Sequence, residues 1–226
     1  MNDFEKQWLQ KLENGLQKIG REDLFEEVTN SHQESIDWSA QLMDKLNSEL
    51  TEDEVIEVMC GCACLAPKDY LKILRKEYTA TKDLKHVHKL LQLYFEKSIT
   101  TYKNLNDEQL KYIVDNDMGM AGKLDGNVIT AVKIPKEFHK YFQTEDPTEK
   151  RYHYCHCPRI REALKLDDQP VNKNYCYCGA GFYKDIWEFI LQRSVKVKLE
   201  ESILQGNQQC KINIYTKREG LCLKTI

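Results

Sequence analysis

The chain has 226 residues, 41% apolar and 31% charged, a balance that excludes a disordered protein and allows one large domain or two small ones. Its 33 basic and 36 acidic residues leave a formal charge of -3, and no Lys/Arg run marks a nucleic-acid surface. No apolar run approaches the ~20 residues that span a bilayer, and the acidic opening MNDFEKQWLQKLENG is not a secretion signal. Nine cysteines, an odd number, then point to a reducing, cytoplasmic setting where thiols stay free or bind metal.

Up to about residue 115 the pattern is helix after helix. Phe4, Trp8, Leu12 and Leu16 recur at helical spacing. Asp23 fits the cap of a short turn after Gly20, and Ile36 to Leu50 is amphipathic. Thr51 and Glu54 form a capping box, in which the threonine oxygen accepts from a free helix N-H while the glutamate reaches back. The helix that they open is expected to end near Pro67, since proline cannot continue the hydrogen-bond ladder. Asp69 to Ala80 and Asp83 to Lys97 read as two further helices, and Asn106 caps a last one ending near Asp115.

The character then changes. Asp117 to Asn127 is rich in turn formers and marks a loop or boundary. Val128 to Ile134 reads as a strand closed by Pro135, and Tyr152 to Cys155 as a second one. Gly179 to Gln192 is a helix with Tyr183, Ile186, Trp187, Ile190 and Leu191 on one face. Val195, Val197 and Leu199 alternate with charged residues as in a half-buried strand. Gly206-Asn207 turns the chain, and Cys210, Ile212 and Ile214 begin an antiparallel return. Leu221 to Ile226 is expected as an edge strand. The expected organisation is a helical region over 1-116 and an α/β ligand-binding-type domain over 117-226, an α+β chain with an antiparallel sheet and a small-molecule pocket.

Two matching pairs, Cys155-His-Cys157 and Cys176-Tyr-Cys178, stand eighteen residues apart. A thiolate is a soft, strongly coordinating ligand and a good nucleophile. On a helix, residues i and i+2 point about 200° apart and cannot share an ion. On an extended segment they project from one face, with Cα atoms about 6.5 Å apart. The pairs are therefore expected on strands or tight loops, presenting four thiolates as in a closed structural zinc site. His156 would point away and ranks below its neighbours. The single intervening residue departs from the usual zinc spacing, and burial as small hydrophobes or a disulfide between the pairs are the competing readings.

A second cluster, Cys60-Gly-Cys62-Ala-Cys64, lies near the end of the helix opened at Thr51. Cys62 falls on its apolar stripe, whereas Cys60 and Cys64 are i, i+4 neighbours that could serve as reserve metal ligands, unless Gly61 breaks the helix first. Cys210 is in phase with Ile212 and Ile214 and reads as core, as does Cys222 between two leucines. His86 and His88 face different ways on a helix, and His32 and His139 have no evident partners. Gly119 to Gly122 lacks the G-K-[ST] of a phosphate loop. Ser-His-Asp, H-E-x-x-H and deaminase patterns are missing.

The stretches YCYCGAGFYKDIWEFIL and VKVKLEESILQGNQQCKINIY resemble the end of bacterial 4-vinyl-reductase-type domains and of L-2-amino-thiazoline-4-carboxylic acid hydrolase-like proteins. The shared pattern is a helix, a strand, a glycine turn and a cysteine opening the final strand, here Gly181 to Leu191, Val195 to Leu204, Gly206 and Cys210. It is most similar to an uncharacterised bacterial family bearing Cys-x-Cys pairs, whose cysteine-rich segment Cys60 to Cys64 would match. The resemblance covers about half the chain and implies an antiparallel sheet and helices around a small-molecule pocket. Some such relatives are sensors holding a cysteine-ligated zinc, and the hydrolases open a thiazoline ring. Gly206-Asn207-Gln208-Gln209 replaces their aspartate-rich turn, and the paired cysteines are extra.

These readings lead to a cytoplasmic small-molecule-binding or sensor-like protein with zinc held by Cys155, Cys157, Cys176 and Cys178, and Cys60 and Cys64 in reserve. The alternatives are a metal- or thiol-dependent hydrolase of a small C-N or thiazoline-type substrate, and a thiol redox switch. The expected partner is a small-molecule ligand, with neither nucleic acid nor membrane, and with a homodimer left open.

Overall fold

The structure, a computed structural model, describes residues 3-30, 35-103, 105-166, 168 and 170-217. Seven helices come first: α1 (Asp3–Lys18), α2 (Glu22–Thr29), α3 (Ile36–Glu49), α4 (Glu52–Gly61), α5 (Lys68–Thr81), α6 (Leu84–Lys103) and α7 (Asp107–Asp115). The Thr51 box and the Asn106 cap that the sequence places are both formed, the second as a box as well. Thr51 Oγ1 accepts from the Glu54 amide while the Glu54 carboxylate accepts from the Thr51 amide, and Asn106 and Gln109 do the same at α7. Trp8, Leu12 and Leu16 are buried, whereas Phe4, one turn earlier on the same stripe, is 41% exposed. Asp23 does not cap. It lies in the first turn of α2, where its carboxylate accepts from the Arg21 guanidinium.

A four-stranded sheet follows, with β1 (Lys123–Asp125), β2 (Val128–Val132), β3 (Lys196–Glu201) and β4 (Lys211–Tyr215) in the order β1-β2-β4-β3, every pairing antiparallel. The expected α+β architecture is thus present. β1 comes from the segment read as turn alone: Gly126, at φ 56°, and Asn127 close a two-residue hairpin that returns the chain into β2. The edge strand expected at Leu221 to Ile226, together with Cys222 and His32, lies outside the described residues.

Between β2 and β3 run α8 (Phe138–Gln143), α9 (Pro147–Tyr154), α10 (Pro158–Ala163), a 3-10 turn (Lys173–Cys176) and α11 (Tyr177–Leu191). The strand expected at Tyr152 to Cys155 is therefore helical through Tyr154, and only Cys155 is extended. Asp146 accepts from the Glu149 amide at 2.8 Å and Pro147 occupies the first turn. That start signal outweighs the aromatic run it precedes.

α11 is the central element. It packs on α4 and α5 and also on β3 and β4. Its Tyr183, Ile186, Trp187, Ile190 and Leu191 are all buried, as the helical spacing predicts. The inward sheet residues Ile129, Ala131, Val197, Ile212 and Ile214 join the same core as Trp8, Leu12 and Val58, so one hydrophobic interior runs from the first helix to the last described strand. The contact with α4 is closest at Gly181, where an added Cβ would stand 2.0 Å from the Cys60 carbonyl oxygen. No described helix is long and apolar enough to cross a membrane.

Candidate functional site

The two Cys-x-Cys pairs sit in different backbone states. Cys155 ends α9 and Cys157 precedes α10, both extended (φ -66°, ψ 132° and φ -85°, ψ 117°). This is the geometry argued for a chelating pair, supplied by a three-residue link between helices rather than by a strand. His156 is pinned away from the pair, its imidazole donating to the Ile134 carbonyl at 2.7 Å. The second pair is not extended. Asn172 caps the 3-10 turn by accepting from the Asn174 amide, and the turn runs straight into α11. Cys176 (φ -68°, ψ -10°) and Tyr177 (φ -62°, ψ -22°) are consequently helical. Cys176 and Cys178 then diverge, by the same geometry that forbids i, i+2 chelation on a helix.

Both pairs nevertheless face one space. A cavity of about 550 Å³ lies between the sheet end, the start of α11, the α9-α10 link and α1. Cys155, Cys157, Cys176, Cys178, Cys64 and Cys210 all line it, with Leu199 and Ile212 from the sheet and Phe182 and Tyr183 from α11. Phe4 and Trp8 of α1 and Phe95 of α6 complete an aromatic wall. Cys176 approaches Cys210, Cys155 and Cys157 closely enough for charge on one thiolate to oppose charge on another, whereas Cys178 is opposed by Cys157 and Cys64. The diverging pair thus reaches two parts of the cavity, with Cys157 near both.

The walls are fixed by buried hydrogen bonds. Tyr154 is 1% exposed, accepts from the Cys210 amide at 2.9 Å and donates to the Lys133 carbonyl at 2.6 Å, tying α9 to β2 and β4. Cys178 Sγ donates to the Cys62 carbonyl at 3.4 Å, joining the start of α11 to the end of α4. On the α1 side Arg159 forms a buried ion pair with Glu5, donates to the Tyr175 hydroxyl at 3.3 Å and lies 4.3 Å from the Trp8 ring centre. Trp8 stacks on Tyr175 with centroids 6.1 Å apart.

Cys60 and Cys64 are separated. α4 stops at Gly61, so Cys64 is not one helical turn above Cys60. Cys64 is exposed and reaches the cavity, while Cys60 is buried beneath Gly181 and is not among its lining residues. Cys62 is core, as its phase predicts, its thiol donating to the Val58 carbonyl at 3.4 Å. Cys210 is buried with Ile212 and Ile214 as expected, and faces the cavity besides. His88 is buried against Trp187 and donates to the Gly122 carbonyl, whereas His86 faces Glu77. His139 lies 3.4 Å from the Gln109 amide.

Burial dominates the electrostatics. It pushes the Cys155 and Cys178 thiols up to about 12 and that of Cys176 well above its ordinary range, and raises those of Cys157 and Cys210. On all five the Lys133 ammonium pulls the other way and loses. A thiol here is a neutral, polarizable wall group unless a metal displaces its proton. Among the described residues no three Cys, His, Asp or Glu side chains converge on one ion-sized position. A tetrathiolate site therefore requires the thiols to move toward each other.

Lys133, Tyr154, Arg159 and Trp8 complete the cavity, yet none is marked as functional by the sequence. Lys133 lies inside the predicted strand, one residue before its end, as an ordinary charged position, and Trp8 and Tyr154 fall on apolar patterns. Arg159, next to Pro158 and two residues beyond Cys157, carries the only local hint. A model of a family of unknown function (DUF6144) matches residues 135-220, under half of the chain, a stretch that holds both cysteine pairs, Arg159 and Cys210 and to which this chain is thus similar. No curated protein and no solved structure matches the chain.

Proposed function

We propose that the protein binds a small molecule in the thiol-lined cavity. The observation that carries this reading is a single space of about 550 Å³ with an aromatic and aliphatic wall into which six cysteines project. Its size lies within the ~300-1,000 Å³ of ordinary ligand pockets, and an apolar wall with a few polar groups is their usual composition. A neutral apolar fluorophore, N-phenyl-1-naphthylamine, tests it. The expected result is saturable binding of one probe per chain with a fluorescence gain. A linear, non-saturating response would overturn the reading.

Zinc, held by thiols of Cys155, Cys157, Cys176 and Cys178, is part of the same proposal, as is a reducing cytoplasmic location. In support, the four come from two separate segments and face the same space, and the eight described cysteines are free. Zinc would supply local cross-linking of the α9-α10 link to the start of α11. The expectation is one zinc per chain in protein purified under reducing conditions, lost in Cys157→Ser. Metal-free protein that takes up no added zinc would remove this part and leave the cavity reading standing.

A further inference from the structure

The charges around the cavity do not match those of the chain. Acidic residues outnumber basic ones overall, 36 to 33. Among the described residues, however, no Asp or Glu lines the cavity, whereas Lys133, Lys136 and Arg159 do. Arg159 is balanced by Glu5, which lies behind the wall. Even so, its buried Nε has no hydrogen-bond partner among the described residues. Lys136 is exposed and sits at the rim.

Lys133 is different. It is half-buried and forms no ion pair with a described residue. Its surroundings are the thiols of Cys155, Cys157, Cys176, Cys178 and Cys210, on each of which its charge acts. Gly179 leaves room for it: a Cβ there would stand 3.2 Å from the ammonium nitrogen. An ammonium drawn into an apolar space without a counter-charge costs free energy, which an incoming anion offsets. A carboxylate also accepts the hydrogen bonds that the Lys133 ammonium leaves unmade.

We propose that the cavity selects an organic monoacid: an apolar, ring- or chain-bearing body against the aromatic wall, with its acid group on Lys133. This deepens the small-molecule reading and rests on it. It does not depend on zinc.

Calorimetric titration of the full chain with 4-phenylbutanoate and with 4-phenylbutan-1-ol tests it, because the two probes share a body and differ in charge. The wild type is expected to bind the acid about tenfold more tightly than the alcohol, the scale of one charge-assisted contact in a sheltered site. Lys133→Met is expected to bind both alike, with its alcohol affinity within about twofold of wild type, since a charge and not the wall is removed. Lys133→Gln, run in parallel, guards against a folding defect in one variant. Equal binding of the two probes by the wild type, or a preference for the acid that survives both substitutions, would overturn the inference while leaving a binding cavity. Failure of the wild type to bind either probe would overturn the cavity reading as well.

Discussion

The cysteines of this chain fall in two regions with opposite packing. At the seam between α4 and α11, Cys60 and Cys62 are closed in by backbone: Gly181 approaches the Cys60 carbonyl so closely that no side chain fits between. A few residues away, Cys157, Cys176 and Cys178 keep partial accessibility because they face an open space. Burial raises the thiols of both regions, to about 12 at Cys60 and at Cys178. The difference between them is therefore room, not acidity. A thiol at the seam can only pack, whereas a thiol on the cavity wall can meet a ligand. α11 belongs to both regions, so a rigid seam is what holds one side of the cavity in place.

The comparison breaks most severely if Gly181→Ala is tolerated. The added methyl would collide with backbone that cannot turn aside, and the expected loss is about 3 kcal/mol or more, read as a fall in the urea midpoint. At the cavity base, Tyr154→Phe removes the acceptor of the buried Cys210 amide and the donor to the Lys133 carbonyl. Its expected cost is about 1-3 kcal/mol, with probe affinity reduced because β2, β4 and α9 are no longer pinned together.

Thiol reactivity sharpens the contrast without a substitution. Under native conditions, alkylation located by peptide mapping is expected at the exposed Cys64 first and at Cys60 and Cys62 last, the rates differing by at least about tenfold. A bound probe is expected to slow Cys157, Cys176 and Cys178 while leaving Cys60 and Cys62 unchanged. Equal protection of both groups would mean that the probe tightens the whole fold and does not occupy the cavity.

The smallest effect lies outside both regions, at Glu137. Its carboxylate accepts from His153, Lys140 and Arg161, and these bonds hold it at about 2. Because this is below its unfolded value, its stabilisation is complete above about pH 4 and is lost as the pH falls toward 2. Glu137→Gln is expected to cost about 1 kcal/mol at neutral pH, in keeping with a partly exposed network. The wild-type advantage should vanish in acid, as followed by melting temperature across pH.

Elements with local signals were legible in the sequence. The Thr51 box, the Asn106 cap, the apolar face of α11 and the alternation of β3 and β4 each depend on residues within a few positions of one another. The cysteine pairs were legible as a constellation but not as a geometry. Asp146 and Pro147 start a helix through Tyr152, and Asn172 winds Cys176 into α11, so the flanking caps and not the Cys-x-Cys motif set the backbone. Cys60 and Cys64 part company for a related reason, since Gly61 ends α4 between them. What stayed hidden was long-range. Trp8, Phe95, Lys133 and Leu199 meet only when α1, α6, β2 and β3 assemble around the start of α11, and no spacing in the chain encodes that meeting.

The claim that the cavity is the binding site is tested most directly by filling it. Leu199 on β3 is half-buried and lines the space, so Leu199→Trp would project an indole into it. Titration of N-phenyl-1-naphthylamine against wild type and Leu199→Trp, with circular dichroism to establish that the variant folds, should show one saturable site in the first and its loss in the second. Undiminished binding by folded Leu199→Trp would place the probe elsewhere and contradict the account.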